Sequence, residues 1–215
     1  MRCKQCGKKE LSLSDLGLCD ICDKSFNRYI QILEEATNIL NETKNITTFT
    51  NRCNIALGVL EKLKKFDHLN YIDPSASQLI DDILEKRSST IFEYWDEHCM
   101  ELSQKLESYK SIDKIIDTIE KAKEEFLKYE EYIQESNKIN EIKLSIQSLY
   151  DDHIIGGYNE LVTSAKSYEK RSNNKIAIKK LKDALNIFEK YKNYFGEGNQ
   201  SLGIELKEWI ERLEN

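Results

Sequence analysis

Four of the six cysteines in this chain form two Cys-x-x-Cys pairs, Cys3/Cys6 and Cys19/Cys22, with twelve residues between them. Each pair bends the backbone so that both thiolates point at one ion. Together the four thiolates would complete the closed tetrahedral shell of a single structural zinc ion, leaving no position open for water or substrate. Gly7 directly follows the first pair, where a knuckle commonly needs a positive φ that glycine adopts without steric cost. After Cys22 the pattern Phe26, Tyr29, Ile30, Leu33 begins, so a helix is expected to start at or just after the last ligands, giving a treble-clef-like or short zinc-ribbon module.

Other chemistries for these cysteines fit less well. Two disulfides would suit a small secreted domain, but no leader is visible ahead of Cys3. A redox Cys-x-x-Cys usually follows a strand in a βαβ setting, and neither is visible. Iron also takes four thiolates, although zinc is the commoner occupant. The module, residues 1–25, is too short to bury a useful apolar core, so metal binding must supply much of its folding free energy.

The remaining cysteines, Cys53 and Cys99, fall on apolar helical stripes and read as buried free thiols. A second metal or nucleophilic site built from Cys53, His98 and Cys99 lacks a further ligand at a helpful spacing. His68, His98 and His153 are scattered, and His153 falls on an apolar face as a core histidine would. The pairs Asp81/Asp82 and Asp151/Asp152 point to different helix faces and read as charged exterior.

These groups must be positioned by helices. The chain has 215 residues, 40% of them hydrophobic, with one Pro and eight Gly, which suits a folded and largely helical protein. From Phe26 onward apolar residues recur at intervals of three and four, and the strand period of two is never sustained. We expect an all-α class: about seven helices stacked as antiparallel hairpins over residues 26–215, with a possible sub-boundary near 110 or 156.

The first helix is expected from about Lys24 to Glu42. The second should run from about Thr48 to Phe66, with Thr47 or Thr48 as N-cap. A long third helix begins after Asp73-Pro74, with Pro74 in the first turn, and reaches Leu106. The fourth extends from Ser111 through Ile133, and the fifth from Ile139 to Ala165. Gly156-Gly157 interrupts the fifth as either a kink or a turn. Two further segments, around Ala177 to Phe188 and Leu202 to Leu213, complete the count. No apolar run approaches the roughly 18 residues that a membrane span requires, so a cytoplasmic protein without membrane contact is expected.

The stretch Asn41-Glu42-Thr43-Lys44-Asn45-Ile46-Thr47-Thr48-Phe49-Thr50-Asn51-Arg52 resembles a Thr-Lys-Asn, Thr-Phe, Arg signature in uncharacterised helical proteins of Gram-positive bacteria and their mobile elements. Some of those proteins also begin with a zinc knuckle. The match covers Cys3 to Phe66 and departs from the signature at Ile46, where Pro is common, and at Cys53, where Tyr is common. The resemblance implies no activity. Near the C-terminus, helix, short turn and helix with Ala165, Ala177 and Ala184 at the contacts resemble a tetratricopeptide-like hairpin, without a repeat of the roughly 34-residue period.

The net charge of −6 argues against indiscriminate nucleic-acid binding by the whole surface. Its distribution is uneven: from Lys166 to Lys192 nine basic residues face three acidic ones, so this segment is +6 and the rest −12. Lys175, Lys179 and Lys182 share one helix face and are candidates to hold phosphate or an acidic partner, against the plainer reading of a solvated exterior. Arg2, Lys4, Lys8 and Lys9 could track a phosphate backbone. Yet between Gly7 and Leu18 no aromatic offers a base a stacking surface and no Arg could read a base edge.

No Gly-rich phosphate loop, His-Glu-x-x-His motif or nucleophile elbow occurs. We therefore expect a non-enzymatic, zinc-stabilised helical adaptor that docks another protein. The alternative is a nucleic-acid-associated regulator of a phage or mobile element, using the knuckle and the basic segment 166–192. The oligomeric state is not legible in the sequence.

Overall fold

Most stretches in which apolar residues recur at three and four are helical. The computed structural model describes residues 1–109, 111–196 and 201–215. Helix makes up 79% of the chain and no strand forms among the described residues, so the class is all-α. The helices are α1 (Asp20–Glu42), α2 (Ile46–Leu63), α3 (Ala76–Glu107), α4 (Ile112–Phe126), α5 (Ser136–Tyr150), α6 (Gly156–Lys170), α7 (Asn174–Lys190) and α8 (Leu202–Glu214). α5 and α6 continue into one another through a π-helical turn, Asp151–Ile155, so the described residues form seven rods, as the periodicity predicts. No helix among the described residues is long and apolar enough to cross a membrane.

The chain divides into two units: Met1–Tyr94 with Tyr129–Lys138, and Trp95–Lys128 with Ile139–Asn215. The division falls inside α3, after α4 and near the start of α5.

In the first unit, α1 and α2 form a hairpin. α1 buries Phe26, Leu33, Ala36 and Leu40, and α2 buries Phe49, Cys53, Ala56, Val59 and Leu60. The N-cap of α2 is Asn45, whose side chain accepts from the Thr48 amide at 2.9 Å. The expected Thr47 is instead inside the first turn, and its hydroxyl meets the Tyr129 hydroxyl at 2.8 Å. Pro74 also lies outside the helix it precedes. Ser75 and Gln78 form a capping box, the Gln78 side chain accepting from the Ser75 amide at 3.0 Å and the Ser75 hydroxyl from the Gln78 amide at 3.3 Å.

The fourth segment ends earlier than expected. α4 stops at Phe126, and Tyr129 and Ile133 belong to a connection containing the 3₁₀ turn Glu130–Tyr132. Both residues are still buried, which is why they extended the apolar period. This connection is held against α3 by the Gln134 amide donating to Ser88 Oγ at 2.9 Å and by Arg87 stacked over the Tyr132 ring at 4.6 Å.

In the second unit, Trp95 packs edge-on against Phe126 at 5.4 Å, and the α6–α7 hairpin closes on Ala165, Ala177 and Ala184, all fully buried. Gly156-Gly157 makes no turn. The irregularity is the π turn just before it, which inserts one residue into the helical period. The phase shift moves burial from the expected His153 and Gly157 to Ile154 and Tyr158, leaving His153 half-buried. α8 crosses α7 closely enough that a Cβ on Gly203 would lie 2.7 Å from the Phe188 ring.

Candidate metal centre

The first cysteine pair sits in a small knuckle. Arg2 and Lys9 form an antiparallel bridge, the Cys3 amide donates to the Lys8 carbonyl at 2.9 Å, and the Gly7 amide donates to the Cys3 carbonyl at 2.9 Å. Gly7 has φ +70°, the conformation expected of it. The second pair belongs to a helix N-terminus. Cys19 is the residue preceding α1 and Cys22 lies in its first turn, so the helix begins between the ligands, four residues ahead of the expected start.

A second positive-φ glycine, Gly17 at +75°, turns the chain into Cys19. Its carbonyl accepts from the Lys4 amide at 3.0 Å, which brings the two knuckles side by side. Ser14 closes the same turn, accepting from the Gly17 amide at 2.7 Å through its carbonyl and from the Leu18 amide at 3.3 Å through its hydroxyl.

The result is a cluster of four sulfurs, with all ligand atoms of Cys3, Cys6, Cys19 and Cys22 within 4.8 Å of one another. Cys6 Sγ and Cys19 Sγ are 3.7 Å apart, and all six cysteines are free thiols. Cys3 and Cys19 are buried, Cys22 is half-buried and Cys6 is exposed. This arrangement is compatible with a metal site. Among the described residues it is the one grouping of three or more Cys, His, Asp or Glu close enough to share an ion.

Within the cluster two thiols shift in opposite directions. Burial would push the Cys3 thiol up, but hydrogen bonding with the backbone at Cys6, Cys19 and Gln5 outweighs it, so its pKa falls below the ordinary thiol value. Cys22 moves in the opposite direction, because burial and then the adjoining sulfurs of Cys19, Cys6 and Cys3 disfavour a further negative charge. All four could be thiolates together only with a cation to balance them.

The module is anchored to the helices. Leu18 is fully buried, Phe26 meets Phe66 at 5.1 Å and Tyr71 at 5.9 Å, both edge-on, and Lys4 Nζ stands 5.8 Å from the Tyr71 ring centroid. The Tyr71 hydroxyl donates to the Leu16 carbonyl. Sequence reading missed Tyr71 because no spacing rule links it to cysteines fifty residues away. Gly17, immediately ahead of Leu18-Cys19, was a findable signal, since a knuckle turn calls for glycine.

The other sequence candidates stand apart. Lys175, Lys179 and Lys182 are all exposed on α7, and Lys182 pairs with Glu214 at 2.8 Å. Elsewhere in the basic segment, Lys190 pairs with Asp113 at 2.7 Å. Arg212 and Lys207 of α8 pair with its acidic residues Glu169 and Glu189 at 2.9 and 2.8 Å. Burial pushes the Cys53 and Cys99 thiols up to about 11, as for unreactive core thiols. His98 lies edge-on to Trp95 at 5.2 Å. Both aspartate pairs are exposed. No protein-family model, no curated protein and no solved structure matches this chain.

Proposed function

We propose that this protein is a zinc-stabilised helical adaptor, in which one structural zinc held by Cys3, Cys6, Cys19 and Cys22 fixes an N-terminal docking element on a rigid helical body. The reading is carried by the sulfur geometry. Tetrahedral zinc with Zn–S bonds of about 2.3 Å has S···S edges of about 3.8 Å, close to the separation of Cys6 and Cys19, whereas a disulfide would need about 2.05 Å. A shell of four thiolates is closed, so the metal stabilises and does not activate water.

Docking is supported by what the module exposes. Leu11 is 99% exposed and Ile21, beside Cys22, is 67% exposed, so apolar side chains project from an element too small to hide them. The partner in this reading is another protein and the setting cytoplasmic.

The second reading, a nucleic-acid-associated regulator, has a specific observation in its favour: Lys175 and Lys179 are exposed on one face of α7, with no ion-pair partner among the described residues. The pairing of Lys182 and Lys190 with carboxylates weakens it, since those charges are already answered.

Purification from the native host under gentle conditions separates the two readings. The adaptor reading expects a stoichiometric protein partner whose retention is lost in a Leu11→Asp, Ile21→Asp variant that still binds zinc. Nucleic acid that is released by salt, and absent from a Lys175→Glu, Lys179→Glu variant, would instead establish the regulator.

A further inference from the structure

The first knuckle is a short antiparallel ribbon. Met1 and Glu10 exchange both backbone hydrogen bonds, at 2.9 and 3.0 Å, and the Cys3 amide donates to the Lys8 carbonyl at 2.9 Å. Arg2 and Lys9, bridged between these pairs, therefore occupy the non-hydrogen-bonded position, where an antiparallel ribbon brings opposite side chains closest together. Side chains alternate across such a ribbon, so Arg2 and Lys9 share one face while Cys3 and Lys8 share the other, which carries the sulfur cluster.

The two faces differ in how their charge is answered. Lys8 pairs with Glu10 at 3.1 Å, and Lys4, past the end of the ribbon, lies over the Tyr71 ring. Arg2 and Lys9 are both exposed and have no ion-pair partner among the described residues. Like charges directly opposite one another destabilise a ribbon, so this pair is a local cost that nothing within the described chain offsets. Such departures from local consistency concentrate at functional sites. Leu11, two residues beyond Lys9, is 99% exposed.

Resting on the adaptor reading, we infer that this face of the knuckle docks an acidic segment of another protein, with a carboxylate held between Arg2 and Lys9 and an adjoining apolar side chain against Leu11. The occupant follows from charge complementarity. A carboxylate relieves the repulsion between the two cations and accepts charge-assisted hydrogen bonds from both the guanidinium and the ammonium group. The first ten residues hold four basic side chains and one acidic, a local +3 in a chain of net −6, so an acidic partner is steered to this end of the molecule. A nucleic-acid strand would answer the cations and leave Leu11 in water, whereas a peptide with neighbouring acidic and apolar residues uses both.

The test titrates the full-length protein, isotopically labelled for amide NMR, with a synthetic peptide alternating pairs of glutamate and leucine, and with the same peptide carrying glutamine for glutamate. Shifts centred on residues 2, 9 and 11, with the acidic peptide binding about tenfold more tightly than its neutral counterpart, support the proposal. Arg2→Glu with Lys9→Glu should abolish that preference, and Arg2→Gln with Lys9→Gln should do the same should the charge reversal disturb the knuckle. Lys8→Gln, on the opposite face, should keep it. Equal binding of the two peptides, a preference that survives Arg2→Gln with Lys9→Gln, an equal loss in Lys8→Gln, or no shift at these residues overturns the inference. Single-stranded DNA that displaces the acidic peptide from the same amides overturns it too, as does broadening of those amides with rising protein concentration alone, which would assign the face to a second copy of the chain. Retention of the native-host protein partner by the Arg2→Gln, Lys9→Gln variant overturns this site alone, whereas nucleic acid in place of that partner overturns the adaptor reading itself.

Discussion

Tyr71 donates its hydroxyl to the carbonyl oxygen of Leu16, a bond between residues 55 apart in sequence that ties the loop joining the two cysteine pairs to the turn following α2. The same ring meets Phe26 edge-on and lies beneath Lys4, so the cysteine module is packed against the helices of the first unit and not merely tethered to them. Tyr71→Phe keeps the ring contacts and removes one hydrogen bond. It should cost about 1 kcal/mol of stability and speed zinc release to a colorimetric chelator. Unchanged release kinetics would mean that the bond does not restrain the loop.

Replacing two ligands tests how far the module depends on its metal. Cys3→Ser with Cys6→Ser should abolish zinc binding and collapse the amide signals of residues 1–19, while far-UV circular dichroism keeps most of its helical amplitude. α2 to α8 carry their own buried apolar faces and lie outside the cysteine cluster. Loss of the whole helical signal would show that Leu18 and Phe26 are indispensable to the first unit's core.

Two glycines should respond in opposite directions to the same substitution. Gly58 is exposed within α2 and a Cβ there meets nothing within 4 Å, so Gly58→Ala should stabilise by about 0.5–1 kcal/mol. At Gly203 a Cβ would press on the buried Phe188 ring, itself packed against Phe195 at 5.2 Å. Gly203→Ala should therefore destabilise by about 1–2 kcal/mol, overpacking outweighing the gain in helix propensity. Urea denaturation of the two variants side by side measures the contrast.

Asp113, in the first turn of α4, makes a pH-dependent contribution. Its pKa is lowered by hydrogen bonds first from Lys190 and then from Tyr191. A carboxylate whose folded pKa lies below its unfolded value of 3.8 stabilises fully above that value, and the contribution disappears as pH falls through the lowered one. Asp113→Asn should thus lower the urea midpoint slightly at neutral pH and leave it equal to wild type in strong acid. A difference that persisted in acid would assign the effect to packing. The group is exposed, so solvent screening keeps the effect small.

Legibility in the sequence followed the range of the interactions involved. The grouping of the four cysteines was readable because knuckle spacing is local, and the helices because burial imposes a period of 3.6. The period misled where burial continued without helix: Tyr129 and Ile133 are core residues on a connection, so α4 read as longer than it is. It also misled after Tyr150, where one extra residue in the π turn moved burial from His153 to Ile154, a shift that no propensity encodes. Asn45 capped α2 in place of the threonines because Asn, Ser and Thr compete for that role and only the geometry of the connection selects among them. The contacts of Tyr71 with the module arise from tertiary packing and left no local trace.

The central claim is that four thiolates hold one structural zinc. It is tested most directly by measuring metal content and thiol state together on freshly purified protein, using elemental mass spectrometry and native mass spectrometry before and after alkylation. The account predicts one zinc per chain, with Cys3, Cys6, Cys19 and Cys22 resisting alkylation until a chelator is added and then all reacting. Protein without zinc whose mass is lower by the four hydrogens lost in two disulfides, or zinc that remains after Cys19→Ser with Cys22→Ser, would contradict it.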